Sequence, residues 1–323
     1  MMMDWVHVGL GLVILLLAGD SLVKGAVNLA LRLGIPALIV SLTIVAFGTS
    51  APELLISVQA ILAGSPGIAL GNVVGSNTAN ILLVLGIPAL IATMHTSGHD
   101  TRDSYMQMLA ASVLFIALAF FGPFTWIDGL ILLVALTAML VHAASAARAH
   151  RRAGDGAVVE PVDLEEEDLE GADPSLGWPR ILLYLALGLV GLPIGADLLV
   201  DGAVNIARAY GVTETVIGLT LVAVGTSLPE LATTFVAAIR QKADVALGNV
   251  IGSNMFNLLG IIGVAALVGP IPVEPTFLEQ DLWIMLAASL LLVPFVFLKR
   301  DITRLWGVIF TGAYVAYLVL VLG

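Results

Sequence analysis

The chain carries one unit twice. Residues 42–54 read LTIVAFGTSAPEL and residues 219–231 read LTLVAVGTSLPEL, while residues 69–80 read ALGNVVGSNTAN and residues 246–257 read ALGNVIGSNMFN. Both matches share an offset of 177 residues, and the alignment runs without a gap from Asp20 and Asp197 to Gly86 and Gly263. A repeat this long makes each half one structural unit, completed by packing against its copy.

Both copies are apolar. With 59% hydrophobic and 11% charged residues and a mean hydropathy of +1.04, the chain is far from the soluble average of about 25% charged. Its apolar runs reach the roughly 20 residues a helix needs to cross a bilayer. They predict an all-α integral membrane protein with ten spans, near 4–30, 36–62, 68–92, 105–121, 125–147, 179–208, 213–239, 245–269, 280–298 and 304–322. The first repeat then occupies 1–147, with its motif at 42–86. A linker covers 148–178, and the second repeat occupies 179–323, with its motif at 219–263. Five spans per repeat is an odd number, so the second copy enters the membrane upside down relative to the first. Inverted five-helix repeats are a pattern of secondary transporters, with the site at the repeat interface.

Charge gives the orientation. With the N-terminus outside, the inner connections hold Arg32, Arg102, Arg148, Arg151, Arg152, Arg180, Arg240, Lys242, Lys299, Arg300 and Arg304, and the outer ones only Arg208. Cytoplasmic loops concentrate Lys and Arg, so both termini are expected outside an inner (plasma) membrane and the linker in the cytoplasm. The net charge of −11 is largely local, since nine acids lie between Asp155 and Asp173. That run lacks the ligand spacing and central Gly of an EF-hand loop and reads as a solvated linker. No basic face exists for nucleic acid. There are no cysteines, and the five His are scattered, so neither a thiolate site nor a His-based metal site is expected. MMMDWVHVGL lacks a basic n-region and reads as the start of a retained helix.

The chemistry-bearing residues fall in the repeated motifs. Pro52, in the middle of the second span, cannot donate to the carbonyl of Gly48, and its ring displaces that carbonyl. Pro229 and Gly225 repeat the device in the seventh span. Carbonyls freed at mid-membrane must face protein, water or an ion. Thr49, Ser50 and Glu53 gather around the first break, as Thr226, Ser227 and Glu230 do around the second. Asn72, Ser76 and Asn80 form one helical stripe on the third span, as Asn249, Ser253 and Asn257 do on the eighth. Asn77 and Asn254 stand beside these stripes. Gly71, Gly75, Gly248 and Gly252 let helices approach closely there. Joining the repeats puts two carboxylates among hydroxyl, amide and carbonyl oxygens, a shell suited to hard cations such as Ca²⁺. A lone intramembrane Glu can be a protonated structural group, but recurrence at one offset in both halves favours function.

GTSAPE with GNVVGSN, repeated as GTSLPE with GNVIGSN, resembles the two alpha-repeats of the cation/Ca²⁺ exchanger superfamily, most closely its prokaryotic Na⁺/Ca²⁺ exchangers. The resemblance covers essentially the whole chain. It implies a Na⁺/Ca²⁺ antiporter that transports Ca²⁺ and Na⁺ by alternating access, with no enzymatic activity and no organic cofactor, in a lipid bilayer and as a monomer. It also implies that Glu53 and Glu230 are the central Ca²⁺ carboxylates, with the carbonyls of Thr49 and Thr226. Ser50, Ser76, Ser227 and Ser253, with the carbonyls of Ala46 and Ala223, would form flanking Na⁺ sites, and Asn80 and Asn257 the waist between them. Some relatives carry Asp at one or both waist positions, whereas both are Asn here, which leaves ion stoichiometry and any proton role open.

An H⁺/Ca²⁺ exchanger of the same architecture is the nearest alternative, and the hydroxyl and carbonyl oxygens around the acids favour Na⁺ over it. A cation channel ranks lower because no re-entrant filter sequence is present. An intramembrane enzyme ranks last for want of HExxH, GxGD or a Ser/Lys dyad. Asp20 and Lys24, at i and i+4 on the first span, read as a self-neutralising pair, with a gating role for the first and sixth helices as the lesser alternative.

Overall fold

A computed structural model describes residues 2–33, 50–96, 101–154, 173, 175–239 and 243–322. Among them helices dominate, and the two isolated β-bridges are the only strand-type pairings. Eight helices are long and apolar enough to cross a membrane, and two shorter apolar helices, at Ala51–Leu62 and Trp126–His142, fall where the second and fifth spans are expected. Leu17, Leu189, Val190 and Val319 are each more than 60% exposed on these helices. Such a coat of exposed aliphatic side chains suits hydrocarbon as solvent.

The first repeat comprises α1 (Met2–Arg32), α2 (Ala51–Leu62), α3 (Pro66–Ala79), α4 (Gly86–Ile91), α5 (Arg102–Phe120) and α6 (Trp126–Gly154). A π-helical turn, Asn80–Val84, joins α3 to α4. The second repeat comprises α7 (Trp178–Tyr210), α8 (Glu214–Ile217), α9 (Ala223–Thr226), α10 (Leu228–Ile239), α11 (Ala243–Phe256), α12 (Ile262–Val268), α13 (Leu282–Leu290), α14 (Val293–Phe297) and α15 (Arg304–Leu322). π-Turns at Gly218–Val222 and Asn257–Ile261 join α8 to α9 and α11 to α12. A further π-turn, Phe277–Asp281, precedes α13. Helix α6 continues to Gly154, past residue 147 where the linker is expected to begin. Its final segment, AASAARAHRRAG, is rich in Ala and Arg, the strongest helix formers, so propensity carries the helix on. The acidic residues 155–172 lie outside the described set, as do Arg240 and Lys242.

The two halves are related by an approximate two-fold axis. Met94 and Ile302 exchange backbone hydrogen bonds of 3.0 Å, and Phe124 and Ile271 exchange bonds of 2.9 Å. Shifting Met94 by the repeat offset gives Ile271, and shifting Phe124 gives a position one residue from Ile302. Each repeat therefore lends the other a loop in the same way at opposite ends of the bundle.

Helices α1 and α7 run antiparallel in close contact. A Cβ on Gly11 would sit 2.8 Å from the carbonyl oxygen of Gly195, so only glycine lets the backbones meet there, as membrane helix pairs require. One end of α1 is tied to the approach to α7. Arg32 donates to the carbonyl of Leu176 and lies 5.7 Å from the Trp178 ring centroid, and the backbone N–H of Asp173 donates to Asn28 Oδ1 at 2.9 Å. Asp20 and Lys24 form the ion pair their spacing predicts, at 2.8 Å, on the exposed side of α1. Helix α1 also packs beside both prolyl–glutamyl segments: Gly19 faces the ring of Pro52, and Gly225 faces the side chain of Leu12.

Candidate functional site

Glu53 and Glu230 occupy equivalent places, each in the first turn of a helix that starts mid-span. Ser50 precedes α2 with φ −89° and ψ 6°. Ser227, between α9 and α10, has φ −80° and ψ 4°. The break expected from Pro229 is thus a one-residue interruption at Ser227, and in the first repeat the helix that carries Glu53 starts just after Ser50, the residues before Ser50 lying outside the described set. Each proline then enters the first turn of the next helix, where a missing N–H costs nothing. Both carboxyl-bearing side chains are 1% exposed. The two are close enough to interact electrostatically.

Glycine packing brings the repeats together at this point. A Cβ on Gly71 would lie 2.5 Å from the carbonyl of Thr215, and one on Gly75 would lie 2.6 Å from that of Leu219. Helix α3 of the first repeat therefore runs backbone against backbone with the Gly218–Val222 π-turn of the second. One turn further, Ser76 meets α9. The oxygens of Ser76 Oγ, Thr226 Oγ1 and the Ala223 carbonyl form a triangle with sides of 3.4, 3.3 and 3.5 Å. Asn72 Oδ1 adjoins it, 3.1 Å from Thr226 Oγ1 and 3.5 Å from Ser76 Oγ.

Most sides of this cluster are long for hydroxyl hydrogen bonds, whose mode is about 2.7–2.8 Å. They do match a coordination shell. Two oxygens at 2.3–2.6 Å from one cation, at right angles, lie about 3.3–3.7 Å apart. The triangle has the dimensions of one face of such an octahedron. Ser50 Oγ, Glu53 Oε2, Asn80 Oδ1, Ser227 Oγ and Asn257 Oδ1 are also buried with no hydrogen-bond partner among the described residues. Buried oxygens left unpaired are costly, and a hard cation is a partner that several of them can share.

Of the residues singled out from sequence, Glu53, Ser76, Ala223, Thr226 and Glu230 are thus linked at one place between the repeats. Thr226 contributes its hydroxyl there. Ser50, Ser227, Asn80 and Asn257 are buried at the breaks and at the starts of the two π-turns. Ser253 is buried on α11, while Ala46 and Thr49 lie outside the described residues. Asn72 and Asn249 hold the carboxyl-bearing helices from behind. Asn72 Nδ2 is 3.5 Å from the Glu53 carbonyl and 3.4 Å from Ser57 Oγ. Asn249 Nδ2 is 3.4 Å from the Glu230 carbonyl and 3.1 Å from Thr234 Oγ1. Sequence reasoning passed over Ser57 and Thr234. Their signal is a hydroxyl four residues beyond each Glu, at the repeat offset. It also gave no role to Asn77 and Asn254, whose contacts cross the two-fold axis.

Inverted five-helix repeats, interrupted helices and a buried all-oxygen cluster with two carboxylates define a cation-binding transporter of the inverted-repeat class. The chain belongs to the sodium/calcium exchanger family, whose model, described as "Sodium/calcium exchanger protein", matches residues 3–144 and 180–323. It is 35% identical over 341 residues to the sodium/calcium exchanger MaX1 of Methanosarcina acetivorans, covering 96% of each chain. It is 34% identical to the putative antiporter CaxA of Alkalimonas amylolytica, covering 98% of both. Among solved structures it is similar to the sodium-calcium exchanger NCX_Mj soaked with 100 mM Na⁺ and 10 mM Sr²⁺. That match has a TM-score of 0.59 and 31% identity, covering 98% of this chain and 97% of the other.

Proposed function

We propose that this chain is a Na⁺-driven Ca²⁺ antiporter of the plasma membrane. Glu53 and Glu230 are the Ca²⁺ carboxylates, and Ser76 with Ala223 and Thr226 forms a flanking Na⁺ site. By the repeat, Ser253 with Ala46 and Thr49 forms the opposite one. Ser50, Ser227, Asn80 and Asn257 supply the remaining oxygens. The observation that carries this reading is the Ser76–Ala223–Thr226 oxygen triangle, spaced for a cation and built from neutral groups beside the carboxylate pair. A route for protons alone needs no such shell.

Exchange follows from charge. Two carboxylates buried with nothing to neutralise them are costly to carry through a low-dielectric barrier, so the empty transporter resists changing sides. One Ca²⁺ or two Na⁺ offset that charge, and a single carboxylate pair cannot hold both loads. A third Na⁺ would make the cycle electrogenic. Every proposed ligand comes from one chain, which supports a monomer as the working unit. The eleven inner Lys and Arg support termini outside and a cytoplasmic linker.

The test is counter-transport in proteoliposomes. With Na⁺ inside and Ca²⁺ outside, uptake is expected only while the Na⁺ gradient lasts. Lowering pH on both sides is expected to slow it, since protons compete for the same carboxylates. Ca²⁺ uptake driven by a pH gradient in Na⁺-free buffer would reassign the chain to H⁺ coupling.

A further inference from the structure

Asn77 and Asn254 of the GSN motifs, with Asn80 and Asn257 three residues on, form a hydrogen-bonded ring across the two-fold axis. Asn77 Nδ2 donates to the backbone carbonyl of Asn254 at 3.1 Å, and Asn254 Nδ2 donates to that of Asn77 at 3.1 Å. Asn80 Nδ2 donates to Asn254 Oδ1 at 3.0 Å, and Asn257 Nδ2 donates to Asn77 Oδ1 at 3.0 Å. Every side chain in the ring is at most 1% exposed. Within this group, Asn80 Oδ1 and Asn257 Oδ1 are left without a hydrogen-bond partner among the described residues.

An Asn amide is nearly symmetric in shape, and a 180° flip exchanges an acceptor for two donors. Nothing in the shape of Asn80 or Asn257 prevents that flip, but the ring does. The backbone carbonyl of Asn77 only accepts, so Asn254 must turn Nδ2 towards it and Oδ1 towards Asn80. Asn80 must then spend Nδ2 on that oxygen, because a flipped amide would set two buried acceptors against each other. The same sequence runs from the carbonyl of Asn254 through Asn77 to Asn257. Asn80 and Asn257 also open the two π-turns, which pack on α10 and α2, the helices that carry Glu230 and Glu53.

We propose that Asn77 and Asn254 are positioning residues for the transport site, each locking the waist amide of the opposite repeat with its oxygen presented to the cations and its N–H groups turned away. A freed amide would offer donors to a cation half the time, so binding weakens although no ligand has been removed. The inference rests on Asn80 and Asn257 being cation ligands, as proposed above.

The test is a double-mutant cycle on full-length protein, read by isothermal titration of Ca²⁺ and of Na⁺, with thermal unfolding followed in parallel. Asn80→Ala removes the ligand and Asn254→Leu removes its lock. Each is expected to weaken ion binding about tenfold, the size of one lost oxygen contact to a charge. The double variant is expected to be no weaker than either alone. A purely structural Asn254 would lower thermal stability and leave affinity intact, or would add its loss to that of Asn80→Ala, and either result overturns the positioning role. An unchanged affinity in Asn80→Ala itself overturns the waist reading, and the positioning role with it. Should Asn254→Leu not fold, the mirror pair Asn77→Leu and Asn257→Ala, or the smaller Asn254→Ser, carries the same comparison.

Discussion

Glu53 and Glu230 stand one repeat offset apart, each 1% exposed, and in the proposed mechanism they supply the charge that a divalent cation requires. Replacing either by Gln keeps an oxygen and the shape but removes half that charge. Glu53→Gln and Glu230→Gln are each expected to cost several kcal/mol of Ca²⁺ binding and to abolish exchange in vesicles while the protein still purifies folded. Near wild-type exchange by either variant would dismiss the carboxylate assignment. Ser76 differs in kind, because it brings a neutral oxygen to the triangle with Ala223 and Thr226. Ser76→Ala is expected to raise the Na⁺ concentration for half-maximal exchange several-fold, by about 1 kcal/mol, with a smaller effect on Ca²⁺. Titrating the exchange rate against each ion separately distinguishes the two.

Helix α3 earns its sequence twice, once by packing and once by what it carries. Gly71 and Gly75 allow it to lie against the Gly218–Val222 π-turn, and that contact delivers Ser76 to α9. Gly75→Ala would place a methyl 2.6 Å from the Leu219 carbonyl and 2.8 Å from the Ala223 Cβ. Both obstacles are rigid, so α3 must move. We expect a loss of about 1–3 kcal/mol in stability, seen as a lower unfolding temperature in detergent, together with weaker Na⁺ binding because the triangle opens. Unaltered Na⁺ affinity at reduced stability would separate the packing from the site. The π-turns belong to this scale too. Two of them begin at Asn80 and Asn257, where an added residue in the turn rotates the following helix, as π-bulges do at functional sites.

At the scale of the whole molecule, the repeat inverts one half against the other, and its orientation can be tested directly. The chain has no cysteine, so single cysteines report without background. Phe121, 88% exposed between α5 and α6, is expected outside, and Arg300, exposed between α14 and α15, inside. A membrane-impermeant thiol reagent added to intact cells is expected to label Phe121→Cys and to spare Arg300→Cys until the membrane is permeabilised. The reverse pattern would invert the topology.

The sequence by itself determined the class of fold, the duplication and the two carboxylates. Span length, the Lys and Arg bias and the Pro–Glu spacing are local quantities, and a repeat at fixed offset turns one local pattern into two. It also placed the break in the second repeat to within a few residues, at the serine before Pro229. It ended the fifth span near residue 147, and the helix runs on to Gly154 through a segment rich in Ala and Arg. What the tertiary structure decided is who meets whom across the two-fold axis. A helical stripe tells which face Asn77 or Ser76 occupies but not which residue of the other repeat faces it. The pairing of Asn77 with Asn254, of Ser76 with Ala223 and Thr226, and of Gly11 with Gly195 joins residues 147–184 positions apart. Such contacts arise from backbone approach at glycines and from hydrogen-bond geometry, both three-dimensional, and neither leaves a periodic trace in the chain.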